Sequence, residues 1–311
     1  LYMAIESWLN DQATTETRGR ILGLYMLVSW IAVITGKLLF AWIDPGNVLA
    51  FAVVSIGISL AVVPVAFGTG PAPAPGRENP ISLHELYKIS PVGLIGCLSI
   101  GATNGAFWTL APLYAESLGL SPIHIGLFMS AAVLGGALTQ WPLGRWSDRT
   151  DRRRIIVGSC VTASLAAGGL VMEHASHELL ILTLAFLFGA GALPLYALCI
   201  AHANDKAPPE SFIQVSRDLL MVFGLGAIFG PFVGSWLMTI GGYMGVFLFT
   251  GCIHLTLAAY TLSRIWVRMP VPETEKTPFV SVPRTTQVVL GLDPRSESSG
   301  SPNPRPQEKG E

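Results

Sequence analysis

Eight apolar runs, each about twenty residues long, constrain this chain more than any other feature of its sequence. A helix of about twenty residues crosses roughly 30 Å of hydrocarbon. Lipid offers the backbone no hydrogen-bond partners, and the runs lack the alternating polarity of barrel strands. The sequence therefore predicts an all-α polytopic membrane protein. The runs cover 21–43, 48–67, 92–114, 123–143, 155–172, 179–200, 219–240 and 243–263.

The composition excludes several other classes of protein. Apolar residues make up 51% of the chain and charged residues only 13%, about half of the usual charged fraction. The net charge of −1 does not supply the basic surface that a nucleic-acid partner requires. Cys97, Cys160, Cys199 and Cys252 lie within apolar runs without short spacings, so neither disulfides nor a metal site is predicted. No nucleotide-binding Gly-x-x-x-x-Gly-Lys motif occurs, and we expect no cofactor.

The basic residues predict how the chain is oriented in the membrane. Between the predicted spans they fall on one side only, and such loops face the cytoplasm. We therefore expect a multi-pass membrane protein with its linker and C-terminus in the cytoplasm. The basic positions are Arg18, Arg20, Arg77, Lys88, 145–154, Lys206, Arg217 and the tail from Arg264; the opposite connections hold Asp44, Glu116, Glu173 and Glu178.

An internal repeat appears when the chain is aligned with itself at an offset of 194 residues. The match continues without a gap through a loop and into the following helix, as expected for two related halves. Six spans of the second half are present, but only the end of one span and two more represent the first. The matched pairs are Leu1/Leu195, Tyr2/Tyr196, Asn10/Asn204, Asp11/Asp205, Ala13/Ala207, Glu16/Glu210, Ile34/Ile228 and Gly36/Gly230.

The repeat predicts that the chain is a fragment of a longer protein. By its period, the parent protein would begin about 100 residues upstream. The alternative is a true start near Met3, which would leave half of the repeat interface unbuilt.

Four segments follow from these patterns. We expect the end of a first six-helix half at 1–67, a cytoplasmic linker at 68–91, a second six-helix half at 92–264 and a disordered cytoplasmic tail at 265–311. The linker contains Ser82-Leu-His-Glu85, a capping-box pattern that predicts a short surface helix.

The sequence Gly144-Arg-Trp-Ser-Asp148-Arg149-Thr-Asp151-Arg152-Arg153-Arg154 resembles the loop signature of the major facilitator superfamily. Glu6-Ser-Trp-Leu-Asn10 and Thr17-Arg18-Gly-Arg20 resemble its bacterial YcaD-like branch. The resemblance implies twelve helices in two halves, of which this chain supplies helices five to twelve and the end of helix four. The family pattern usually has glycine where Asp151 stands, and Asp can adopt the left-handed conformation that glycine favours.

The resemblance also implies a conformational latch at Gly144, Asp148, Arg149 and Arg152. Asp148 would cap a helix that begins near residues 19–21 in the other half, favouring an outward-open state, and the two arginines would form ion pairs. A simpler alternative is that the basic residues only anchor the loop at the cytoplasmic surface.

A substrate cavity is implied in the same way, because the first and fourth helices of each half line the cavity of this family. The candidate lining residues are Thr103, Asn104, Trp108, Tyr196 and Gln140. Asn104 and Trp108 share one face of their helix, which would place an amide beside an aromatic ring. Thr103 and Asn104 could instead hold helices together, and Gln140 could simply mark the membrane interface.

Charged or titratable residues within spans are further candidates. Lys37 could contact substrate or reach the outer interface, and Glu6 could couple proton movement or pair with a loop arginine. For His254 we expect a structural role.

Two patterns predict helix geometry. Pro194 predicts a bend within 179–200, because proline removes a backbone donor. Gly226, Gly230 and Gly234 predict close approach of another helix to 219–240.

Together these features predict a monomeric secondary transporter that moves a small solute, driven by H⁺ or by the solute's own gradient. The alternatives are a non-transporting receptor or scaffold, an inactive fragment, and an intramembrane enzyme using Glu173-His174-Ala-Ser-His177-Glu178. That loop lacks the His-Glu-x-x-His spacing of a helical zinc site, so we expect neither a metal nor enzymatic activity.

Overall fold

In the computed structural model, all described secondary structure is helical. The structure describes residues 24–25, 27–29, 31–36, 48–66, 82–173, 177–208 and 211–267, together with residues 269, 272, 276 and 279. The helices are α1 (Val48–Ala66), α2 (Leu83–Ile89), α3 (Pro91–Ser117), α4 (Pro122–Arg149), α5 (Arg152–Met172), α6 (Glu178–Ala192), α7 (Leu195–Asn204), α8 (Phe212–Gly241) and α9 (Gly245–Val267).

Six apolar segments within the described residues are long enough to cross a membrane, counting α6 and α7 as one segment, Glu178–Asn204. They confirm the polytopic helical fold. Large apolar side chains cover the outer surface, including Leu165, Phe232 and Trp236, each more than 60% exposed. A surface of this kind is suited to lipid. The predicted run 48–67 is largely α1, and the described parts of 21–43 are also helical.

Local capping explains where the first helices begin. Ser82 Oγ accepts a hydrogen bond from the Glu85 backbone N–H at 3.2 Å, and Glu85 Oε2 accepts one from the Ser82 N–H at 3.3 Å. This confirms the predicted capping box at the start of α2. Ser90 then caps α3 by accepting from the Gly93 N–H at 3.0 Å, with Pro91 at the first helical position.

The bend predicted at Pro194 is a break between two helices. Helix α6 ends at Ala192 and α7 begins at Leu195, with Leu193 and Pro194 between them. Proline at this position cannot donate the hydrogen bond that a continuous helix requires. All ten residues of α7 are nevertheless buried.

Small residues allow the closest helix contacts in the bundle. Gly101 and Gly105 of α3 lie against the backbone of α8, while Gly226 and Gly230 of α8 lie against the backbone of α3. This confirms the close approach that the α8 glycines predict. Helices α4 and α6 meet in the same way, through Gly135 and Gly189.

The buried core consists of two clusters. Aromatic residues dominate one of them, in which Phe247 lies 4.7 Å from the Tyr114 ring and 5.6 Å from the Phe188 ring, both edge to face. The other contains Tyr196, Phe223 and the apolar side of α2. It lies towards the end of the bundle that carries residues 144–154, called the loop end below.

The segment boundaries at 67, 91 and 264 stay predictions. Helix α9 ends at Val267, three residues beyond the last of them. Within the predicted tail, Lys276 and Phe279 contact the 144–154 loop, which the tail's composition does not predict.

Candidate functional site

Arg152 is the centre of a buried ionic cluster at the loop end. Its side chain is only 1% exposed, as is that of Arg153. Nε donates to Asp205 Oδ2 at 2.6 Å and Nη2 donates to Asp205 Oδ1 at 3.3 Å. Such a two-point contact matches the planar guanidinium to the carboxylate. Because Asp205 terminates α7, this pair ties the start of α5 to the end of the broken helix.

The remaining arm of Arg152 holds the end of α4, within the loop signature. Nη1 donates to Ser147 Oγ at 2.8 Å and lies 2.9 Å from Asp148 Oδ1. Ser147 Oγ in turn donates to the Gly144 carbonyl at 2.6 Å. One buried guanidinium therefore connects α4, α5 and α7.

A second buried arginine ties the last helix to the same place. Arg153 Nε and Nη2 donate to Asp151, with Nη2 2.7 Å from Oδ2, and Nη1 donates to the Arg264 carbonyl of α9 at 2.8 Å. Asp151 does not adopt the left-handed conformation that the sequence allowed, since its φ is −61° and its backbone is extended. Its carboxylate instead accepts from the Arg153 N–H at 3.0 Å and caps α5.

The surroundings of Asp151 shift the pKa of its carboxyl group. Burial raises the pKa of a carboxyl group, but the hydrogen bonds and charge of Arg153 outweigh this and lower the pKa of Asp151 below its usual value. A lowered pKa means that the contribution to stability is complete above the unfolded-state pKa and disappears only as pH falls through the folded-state value.

We expect Asp151→Asn to lower the free energy of unfolding by about 3 kcal/mol, because Arg153 would lose its buried counter-charge. Asparagine can still cap α5, which isolates the effect of the charge. Thermal unfolding in detergent should show a difference from the wild type that is constant from about pH 8 to pH 5. A difference that already shrinks across that range would contradict the lowered pKa.

The basic residues of the loop divide into two groups. Arg152 and Arg153 are buried and paired, so surface anchoring does not describe them. Arg145, Arg149 and Arg154 are exposed. Among the described residues, Arg149 forms no ion pair, and the structure brings Arg152 rather than Arg149 to the carboxylates.

Sequence reasoning missed Asp205 as the partner of Arg152. The signal was present, because the repeat aligns Asp205 with Asp11 and Asn204 with Asn10. Asn204 also has a connecting role, since its Nδ2 donates to Ser216 Oγ of α8 at 2.9 Å. Polar residues that recur at the same place in both halves could therefore have been selected as site candidates.

The candidate cavity residues form a small cleft between α3 and α6. Thr103 and Asn104 line it together with Phe107 and Phe188, and Ala192 and Leu193 close its side next to the helix break, leaving no room for a water molecule. Both polar side chains also donate to the Ile100 carbonyl of their own helix, at 3.1 Å and 2.9 Å. The cleft therefore has apolar walls and two polar groups that bond within their own helix, and it is closed in this conformation.

The other described cavity candidates do not line this cleft. Trp108 packs edge to face on Phe107, with ring centroids 5.3 Å apart. Tyr196 is buried against Phe223 of α8 at 4.8 Å, in the core cluster at the loop end. Gln140 is buried on α4.

Several sequence candidates lie outside the described residues or elsewhere in the bundle. Glu6, Lys37 and residues 19–21 are not described. His254 is fully buried, with Nδ1 2.7 Å from the Thr250 carbonyl of its own helix. At the end opposite the loop, Glu178 Oε1 lies 2.9 Å from His124 Nε2.

Comparison with known proteins identifies the family. The model of the Major Facilitator Superfamily matches residues 1–212 and again residues 92–294. An uncharacterized MFS-type transporter of Yersinia enterocolitica is 26% identical over 284 residues, covering 91% of this chain and 71% of the relative. The uncharacterized MFS-type transporter YcaD of Shigella flexneri is 27% identical over 241 residues, covering 76% of this chain and 62% of the relative. This multi-pass membrane protein therefore belongs to the major facilitator superfamily of transporters.

Proposed function

We propose that this protein is a monomeric secondary transporter of the bacterial inner membrane, which moves a small solute by alternating access. A proton gradient or the solute's own gradient drives the movement. The proposal depends mainly on the burial of Arg152 between two carboxylates. One belongs to Asp148 of the loop signature and the other to Asp205 at the end of α7. A change at the loop is thereby coupled to α7, the helix that follows the break next to the cleft.

The mechanism assigns separate tasks to the cleft and the loop. The closed cleft opens so that Thr103 and Asn104 contact the solute, and the break at Pro194 lets α6 and α7 change their relative angle. The two halves rock around the solute, as in other transporters built from repeats. Asp148, with Arg152 behind it, latches the halves together in the outward-open state, so a solute can shift the population only by binding one state more tightly.

The charge distribution supports an orientation with the loop end in the cytoplasm. Arg145, Arg149 and Arg154 are exposed there, whereas the opposite connections of the described bundle carry Glu116, Glu173 and Glu178. This is the distribution that the positive-inside rule describes.

Transport can be tested with the complete gene product in sealed vesicles. Solutes that raise the unfolding temperature would first be selected, and their uptake would be measured with and without an imposed pH gradient. We expect Thr103→Val to raise the apparent KM about fivefold, because one hydrogen bond to a buried group is worth about 1 kcal/mol.

Thr109→Val is the matched control, since Thr109 lies on the same helix but is exposed. It should leave KM unchanged. Equal effects of the two substitutions, or a loss of stability at Thr103 without a change in solute affinity, would favour helix packing over solute binding. Binding without uptake would instead identify a receptor.

A further inference from the structure

Two described residues after the last helix, Lys276 and Phe279, contact the loop signature. The Phe279 backbone N–H donates to Asp148 Oδ2 at 3.1 Å, and Lys276 Nζ donates to the Thr150 carbonyl. The Phe279 ring lies on Gly144: a Cβ at that position would collide with the ring, and the three nearest atoms all belong to it. We call Gly144, Asp148 and Thr150 the loop platform.

Each oxygen of Asp148 serves a different neighbour. Oδ1 faces inward to Arg152 at 2.9 Å, while Oδ2 faces Phe279. In this arrangement the outward-facing acceptor receives a backbone N–H from the C-terminal segment. A helix start in the other half would approach the same outward side of Asp148, which the Phe279 backbone and ring already cover, so only one of the two can be seated there.

The path of the chain favours this segment over a partner from outside. Helix α9 ends at Val267, and its end is already tied to the cluster because the Arg264 carbonyl accepts from Arg153. Phe279 follows Val267 by only twelve residues, which limits the reach to about 40 Å. A short tether of this kind gives an effective concentration of about a millimolar or more.

The same segment also covers the buried ion pair. Met269 and Lys276 enclose a narrow space beside Arg152, Arg153 and Asp205. The C-terminal residues therefore contact both the platform and the cluster behind it, and the apolar ring of Phe279 faces a glycine at which no other side chain would fit.

We propose that the segment around Lys276 and Phe279 is an intramolecular ligand of the loop platform that competes with the first half of the transporter for Asp148. When this segment is bound, Asp148 cannot contact the first half of the transporter. When the segment is released, Asp148 becomes available and the two halves can close at the loop end. The competition rests on the proposed alternating-access function, whereas the docking itself does not.

Hydrogen exchange of the Phe279 amide tests the docking. We expect Gly144→Ala to accelerate exchange at least tenfold, because the new Cβ displaces the ring and leaves the Asp148–Arg152 pair intact. Gly158→Ala is the control, since Gly158 is exposed and a Cβ added there would have no heavy atom within 4 Å. Asp148→Ala should accelerate exchange as well. Equal exchange in the wild type, Gly144→Ala and Asp148→Ala would overturn the docking whether or not the protein transports a solute.

Spin labels at Arg18 and Arg145 test the competition. Phe279→Pro removes both the ring and the donating N–H but leaves the platform unchanged, and we expect it to increase the population of short distances at least threefold. An unchanged distance distribution, with the docking confirmed by exchange, would overturn the competition. Neither the exchange experiment nor the distance measurement needs a known solute. A failure of this inference can therefore be distinguished from a failure of the transport assay.

Discussion

Alanine in place of Asp205 lowers the free energy of unfolding by about 3–5 kcal/mol, because Arg152 is left buried without its strongest partner. The two side chains are 2% and 1% exposed, so water cannot replace the lost carboxylate without opening the bundle. The loss can be measured by SDS titration of the detergent-solubilised protein. We also expect transport to be abolished, since the loop would no longer be tied to α7.

Two variants separate charge from packing in this experiment. Arg149→Ala removes an exposed loop arginine and should change stability by less than about 0.5 kcal/mol. The double substitution Arg152→Met with Asp205→Leu should recover most of the stability, because replacing a buried pair by apolar residues is often neutral. It should not recover transport. A loss for Asp205→Ala no larger than for Arg149→Ala would show that the buried pair contributes nothing.

The helical fold follows from the sequence because membrane burial imposes a strong and local pattern. Apolar runs, a capping box at Ser82 and a proline at 194 each report on backbone geometry within a few residues. Partners distant in the chain are harder to derive. The pairing of Gly101 with the backbone of Phe223 depends on how α3 and α8 pack, which no local pattern encodes.

The candidate site was predictable only in part for the same reason. The loop signature indicated Gly144, Asp148, Arg149 and Arg152, but Asp205, the carboxylate that pairs with Arg152, lies 53 residues away from it. Asp151 shows a different limit. Its departure from the family glycine indicated a left-handed turn, whereas its carboxylate stabilises an extended cap through Arg153. A change of residue type can therefore change the local backbone conformation, instead of leaving the conformation of the family pattern in place.

Leucine in place of Gly230 should prevent the close pairing of α3 and α8 and leave little folded protein. Even a Cβ added at Gly230 would overlap the backbone of Ala102, so a larger side chain must push the helices apart. Within lipid, helix association depends on this packing rather than on a hydrophobic driving force. The smaller change Gly230→Ala should cost about 1–3 kcal/mol, the usual range for overpacking, and SDS titration of purified protein would measure it.

The substitution Gly224→Ala, on the same helix, should change the free energy of unfolding in the opposite direction to Gly230→Ala. Gly224 lies on α8, but a Cβ added there would have no heavy atom within 4 Å, so Gly224→Ala meets no obstacle. Alanine restricts the unfolded backbone and favours the helix, and it should raise stability by up to about 1 kcal/mol. If Gly230→Ala and Gly224→Ala changed stability equally, helix propensity alone would explain both. Opposite signs would show that α3 and α8 touch at the backbone and that their separation is fixed by the absence of side chains.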